Sequence, residues 1–184
     1  MYRYEKKYVI TNIQKEILKN TLSAALYLDS NIKNPDGSYF IRSLYFDDYK
    51  NTSYYQVLDG VSKREKYRIR YYNLDPSYIT LEKKSKENNL GKKDKDILTK
   101  ELVMKFIENE EIESNRPVVT ELQSKMKTEF YKPVIIIDYE RMAFTYPVND
   151  VRITLDYNIS CSYEISKFFE KNINSIPLLE KNTA

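Results

Sequence analysis

Within residues 64–71, Arg-Glu-Lys-Tyr-Arg-Ile-Arg-Tyr, every even position is basic, while Tyr67, Ile69 and Tyr71 occupy alternate odd positions. A period of two belongs to an extended chain, which sends alternate side chains to opposite faces, so this stretch has one cationic face and one apolar face. The division recurs. Arg3, Glu5 and Lys7 share a face, as do Glu82, Lys84 and Lys86, and Arg152, Thr154 and Asp156 oppose Val151, Ile153 and Leu155. Several strands of this kind make an antiparallel sheet whose polar faces either meet water or, if the sheet curls, line an interior.

The rest of the chain supplies what the apolar faces need. Residues 1–10 read as a strand, with Tyr2, Tyr4, Tyr8 and Ile10 on one side. Ile13, Ile17, Leu18, Leu22, Ala25 and Leu26 recur at helical spacing behind a Thr11 or Asn12 cap. Asn34-Pro35-Asp36-Gly37 is a turn leading into a strand over 39–47, where Tyr45-Phe46-Asp47 reads as a buried aromatic pair ending at a turn aspartate. Residues 48–60 suit a short helix or loop, 64–72 and 78–86 neighbouring strands, and the lysine-dense run 86–96 a mobile loop. Helices are expected over 99–109, with Leu102, Val103, Phe106 and Ile107 on its apolar face, and over 118–130. Strands follow over 134–144 and 151–159, then a short helical stretch near 163–170. The fold class is therefore α+β, an antiparallel sheet with helices packed outside it, which closes into a tunnel or barrel if its charged faces turn inward.

Composition removes whole classes of chemistry. The chain has no histidine and a single cysteine, Cys161, so a disulfide framework, the common zinc sites and histidine-based nucleophilic catalysis are excluded. No apolar run has the ~18 residues of a membrane span and no signal-peptide core follows the amino terminus, which implies a soluble, unexported, cytoplasmic chain. The 184 residues fit one domain. Thirty basic residues against 27 acidic leave a net charge of only +3, so the placement of charge matters more than its sum.

If helices cover the apolar faces, the charged faces turn inward together. Arg3, Lys7, Lys66, Arg68, Arg70, Lys84, Lys86, Arg141 and Arg152 then share a space with only Glu5, Glu82 and Asp156 as acids. Confined like charges repel strongly unless an anion is supplied, and phosphate chains supply one. Arginine suits this task because its planar, always ionised fork matches phosphate oxygens. Nucleic acid is disfavoured as partner, because Tyr67, Ile69 and Tyr71 lie opposite the arginines rather than beside them for stacking.

Seven segments in order, Tyr2-Arg3-Tyr4-Glu5-Lys6-Lys7-Tyr8, Ser43-Leu44-Tyr45-Phe46-Asp47, Leu58-Asp59-Gly60, Arg64 to Tyr72, Leu81-Glu82-Lys83-Lys84, Tyr139 to Phe144 and Val151 to Asp156, resemble the VTC domain. That is the polyphosphate polymerase domain of vacuolar transporter chaperone complexes and of free-standing bacterial relatives. The resemblance implies the CYTH-like triphosphate tunnel fold. It also implies a phosphotransferase that moves the γ-phosphate of ATP onto inorganic polyphosphate, with Mn²⁺ or Mg²⁺ as cofactor and ATP and polyphosphate as partners.

By the same resemblance, Lys7, Arg68, Arg70, Lys84, Arg141 and Arg152 are the expected catalytic residues and Lys93 and Tyr139 expected substrate contacts, to which the shared basic faces add Arg3, Lys66 and Lys86. Phosphoryl transfer asks chiefly for positioning and charge neutralisation, which a basic tunnel supplies. Glu5 and Glu82 are the candidate metal ligands, the alternative for each being a salt bridge to a facing Arg or Lys. The wider superfamily opens with Glu-x-Glu-x-Lys where this chain has Arg3-x-Glu5-x-Lys7. The family's later Glu-Val-Lys and Ser-Lys-Tyr motifs have no counterpart before Ala184, so the expectation is a domain lacking its last strand or strands, with an open sheet edge and doubtful independent catalysis. Two other functions stay open: a non-catalytic binder of polyphosphate or inositol polyphosphate, and a triphosphate hydrolase or nucleotidyl cyclase of the same fold.

Overall fold

The computed structural model describes residues 4–29, 34–88, 90–148 and 151–179. Helix α1 spans Asn12–Ala25 and β1 Tyr27–Leu28, followed by β2 Ser38–Asp47, α2 Thr52–Leu58, β3 Lys63–Tyr72, β4 Asp75–Glu87 and β5 Leu90–Leu98. Then come α3 Lys100–Glu108, α4 Pro117–Thr128, β6 Lys132–Tyr146, β7 Val151–Ser162, a 3-10 turn at Ile165–Lys167 and β8 Ile176–Pro177. The eight strands form one antiparallel sheet in the order β5-β4-β3-β2-β6-β7-β8, with β1 pairing the far end of β6. Strands β5 and β8 are not paired with each other, so among the described residues the sheet is open. No helix of the described residues is long and apolar enough to cross a membrane.

Local chemistry starts each helix. Thr11 accepts a hydrogen bond from the Gln14 amide while the Gln14 side chain accepts from the Thr11 amide, a reciprocal capping box on α1. The Thr99 hydroxyl accepts from the Leu102 amide at the start of α3. Helix α4 carries Pro117 in its first turn, and Asp96 of β5 accepts from the Val118 and Val119 amides at 2.8 and 3.0 Å. Asp47 at the end of β2 accepts from the Ser53 and Tyr54 amides and so holds α2 against the sheet.

The helices pack on one face. Leu44 and Phe46 of β2, Tyr67, Ile69 and Tyr71 of β3 and Leu81 of β4 are buried against Val103 and Phe106 of α3, Val119 and Leu122 of α4, and Phe168. Register places Leu44, Ile69 and Leu81 side by side across three strands. At the other end of the same face, Met142, Phe144, Leu155 and Tyr157 meet Leu22 and Leu26 of α1. Burying each large apolar side chain contributes about 1.5–3 kcal/mol. A charged cross-strand pair lies within this apolar face: Arg42 of β2 opposes Asp138 of β6, donating from Nε and Nη2 at 2.9 and 2.8 Å. Its Nη1 donates to the carbonyls of Phe168 and Glu170, which pins the segment after β7 to the sheet.

Two sequence expectations are corrected. Residues 4–10 form no strand, and Tyr4, Tyr8 and Val9 are exposed. Alternation marks two chemically distinct faces, but a strand also needs a hydrogen-bonding neighbour, and 4–10 has none in the described sheet. The expected loop 86–96 is instead the β4–β5 hairpin, paired from Ile79↔Leu98 to Glu87↔Leu90. Its strand was hidden because β5 is an edge whose residues are polar on both sides, leaving no hydrophobic alternation to read. The first helix, expected to run to Asp29, ends at Ala25, and Tyr27–Leu28 instead pair with β6; the short strand Ile176–Pro177 was not expected, and the other elements fall within a few residues of expectation.

Replacing Asp138 by alanine leaves the buried Arg42 guanidinium uncompensated and is expected to cost about 3–5 kcal/mol in urea unfolding. The double replacement Arg42→Met, Asp138→Leu should recover most of that loss.

Candidate functional site

The face of the sheet opposite the helices gathers the basic residues. Lys66, Arg68 and Arg70 of β3 lie beside Lys84, Glu82 and Thr80 of β4, while Tyr45 and Ser43 of β2 stand on the other side of Arg68 and Arg70. Strand β5 sets Lys93 beside Lys84 and Lys95 beside Glu82. Across β2 the face continues through Tyr139 and Arg141 of β6 to Asp156 and Arg152 of β7. Ser43, Thr80, Glu82 and Arg70 are buried here although the packed helices contribute to the opposite face, so the sheet curves over its own polar side.

Glu82, 2% exposed, sits at the floor of this surface. Arg68 donates to its Oε2 from Nε at 2.7 Å, with Nη2 in ion-pair contact at 2.6 Å, Lys93 reaches Oε1 at 3.0 Å, and Arg70 Nη1 stands 4.0 Å from Oε2. Burial alone would raise the carboxyl pKa, but Arg68, Arg70 and Lys93 outweigh it and hold Glu82 down at about 2. Arg70 is fixed further by donating to Ser43 Oγ at 3.0 Å and to the Tyr139 hydroxyl at 2.7 Å. Arg68 Nη1 donates to the Tyr45 hydroxyl at 3.1 Å; burial opposes ionisation of that phenol, and the nearby Arg68 and Arg70 charges more than offset it, lowering its pKa.

Three further cations each make one ion pair. Arg141 grips Asp156 through two bonds of 2.6 Å. Arg152 donates to Asp29 at 2.6 Å and to the Tyr39 hydroxyl at 3.0 Å. Lys84 bonds Glu5, whose pKa is lowered because Lys84 and the charges of Lys7 and Arg68 outweigh its burial. Lys66 makes no ion pair among the described residues. Burial pushes its pKa down, with Arg64 and Lys7 adding repulsion, although Tyr45 and Asp47 counteract.

Of the residues expected from sequence, the sheet thus places Lys66, Arg68, Arg70, Lys84, Lys86, Lys93, Tyr139, Arg141 and Arg152 on one face, with Glu82 among them. Glu5 and Lys7 come from the unpaired segment 4–10, and Arg3 lies outside the described residues. Glu5 and Glu82 take the salt-bridge alternative. Among the described residues no three acidic or cysteine side chains gather to hold a metal ion, so Glu5 and Glu82 do not fit a metal centre built from protein ligands alone.

Sequence reasoning misplaced Tyr45, which is not part of a buried aromatic pair. Only Phe46 enters the core, and Tyr45 faces the arginines, as β2 parity requires. Tyr39 was also missed, its hydroxyl serving Arg152 from two strands away. The signal available was register: both tyrosines share parity with Ser43 and Ile41, the face opposite Leu44. The opposition of tyrosines to arginines seen within β3 therefore does not hold for the whole surface.

Because the Glu82 pKa is depressed on folding, its contribution to stability is present above the ordinary glutamate value of 4.5 and is lost as pH falls towards about 2. Acid unfolding followed by circular dichroism should accordingly show a stability loss between about pH 5 and 2 that is shallower in Glu82→Gln.

Comparison with solved structures finds the same fold in a "putative adenylate cyclase" from Bacillus halodurans, with a TM-score of 0.58 at 15% identity, covering 89% of this chain and 75% of that one. No curated protein matches the chain by sequence. The model of the VTC domain family matches residues 2–183. A match over nearly all of the sequence, joined to a curved antiparallel sheet whose basic residues share one face, makes this chain a member of the VTC domain family.

Proposed function

We propose that the curved basic face binds phosphate chains and that the protein transfers the γ-phosphoryl group of ATP onto the end of inorganic polyphosphate. The observation that carries this reading is the convergence of Lys66, Arg68, Arg70, Lys84, Lys93, Arg141 and Arg152, drawn from five strands, on one surface. In the reaction a terminal oxygen of polyphosphate forms a bond to the γ-phosphorus, the β–γ bridging bond breaks, and ADP leaves with that oxygen. Negative charge is spread over the transferring group's equatorial oxygens and the leaving oxygen, where fixed guanidinium and ammonium groups are most effective.

Donor arithmetic supports the binding role. Arg68 commits two of its N–H groups, one to Glu82 and one to Tyr45, which leaves three of the five a guanidinium carries for a ligand. Arg70 is held by Ser43 and Tyr139, so its orientation is set before any ligand arrives. Lys66, half-buried and without an acidic partner among the described residues, gains most from a phosphate oxygen.

A second reading, binding of polyphosphate without turnover, is favoured by the salt-bridged state of Glu5 and Glu82 and the lack of a metal-ligand cluster among the described residues. Incubation with ATP and Mn²⁺ or Mg²⁺ separates the two. Chain growth on gels that tracks ADP release supports the polymerase, whereas anion binding with no ADP release supports the binder.

Lys66→Met tests the surface itself. The replacement removes a charge that its surroundings disfavour, so thermal stability should be unchanged or higher, while polyphosphate binding by calorimetry should weaken about 10-fold. Binding that is unaffected would remove Lys66 from the site.

A further inference from the structure

Glu82 stands out because it neutralises the residues proposed to hold phosphate. Its two oxygens engage Arg68 and Lys93, Arg70 is 4.0 Å away, and the carboxylate is almost wholly buried. It is not a surface ion pair formed in passing. The β3–β4 register places it directly opposite Arg68, and the β4–β5 hairpin brings Lys93 over from the edge strand. Elsewhere on this surface the ion pairs are Lys84 with Glu5, Arg141 with Asp156 and Arg152 with Asp29.

Any phosphate oxygen reaching Arg68 or Lys93 therefore meets cations that already share a negative charge. That charge is intramolecular and always present, so a ligand faces it as a competitor of high effective concentration. A single phosphate, touching one or two of these cations, gains little over the resident carboxylate. A chain that also reaches Lys66, which makes no ion pair among the described residues, and then Lys84 and Arg141, whose carboxylate partners are not Glu82, recovers the deficit through contacts beyond the reach of Glu82. We infer that Glu82 is a built-in counter-anion that makes this face discriminate against single phosphates in favour of long phosphate chains. The inference rests on the proposed phosphate-chain binding and adds to it the residue that sets chain-length selectivity.

The test compares the wild-type protein with Glu82→Gln, using calorimetry in buffer containing a chelator, with orthophosphate, tripolyphosphate and long-chain polyphosphate as probes. Removing the competing charge should tighten orthophosphate binding about 10-fold and long-chain binding about 2-fold, so that the ratio of the two affinities narrows about 5-fold. A purely positioning role for Glu82 would instead weaken all three probes together and leave the ratio unmoved, which overturns the inference. If wild type binds no phosphate chain at all, the proposed function itself falls. If it binds and the ratio is unchanged in the variant, only the inference falls. Circular dichroism checks that Glu82→Gln is folded. Should it not fold, Glu82→Asp, which withdraws the carboxylate by one methylene while keeping its charge, decides the matter: a ratio narrowed about 2-fold supports the inference and an unchanged ratio overturns it.

Discussion

The two-residue period of the strands, combined with helices on one side only, governs this molecule. Once Leu44, Ile69 and Leu81 turn towards α3 and α4, their neighbours Tyr45, Arg68 and Glu82 have no choice but the opposite face. A slip of one residue in any pairing would bury arginines among phenylalanines. The apolar core and the basic surface are consequently one structural decision, since the free energy that buries the first set positions the second.

That coupling gives the basic face its stiffness. Arg70 is held by Ser43 and Tyr139, Arg68 by Tyr45 and Glu82, and Arg141 by Asp156, so the cations project from partners on neighbouring strands rather than from loops. Tyrosine suits these positions because its ring packs within the curved sheet while its hydroxyl accepts from a guanidinium. Repulsion among the cations is relieved by resident carboxylates, and the same carboxylates temper the attraction any anion feels.

Much of this was legible in the chain. The alternation in 64–72 and 151–159 predicted strands with correctly assigned faces, and the helices expected over 99–109 and 118–130 form at 100–108 and 117–128, the first behind its Thr99 cap. What failed, failed for identifiable reasons. Residues 4–10 alternate convincingly yet pair with nothing in the described sheet, because periodicity speaks of faces and not of neighbours. Strand β5 carries lysines and aspartates on both sides and resembles a loop, although its hydrogen bonds to β4 are what deliver Lys93 to Glu82. Tyr45 was read by its neighbour Phe46 instead of by its parity.

By itself the sequence determined the α+β class, the apolar faces that must be covered, and the identity of the cations available to meet an anion. These are properties of local spacing and side-chain chemistry, and they need no knowledge of which strand lies beside which. Only the tertiary structure decided that β2 lies between β3 and β6, that Tyr139 reaches Arg70 across it, and that Glu82 is surrounded by Arg68, Arg70 and Lys93. The physical reason is that charge neutralisation depends on distances of a few ångströms between residues far apart in the chain, and strand pairing alone sets those distances.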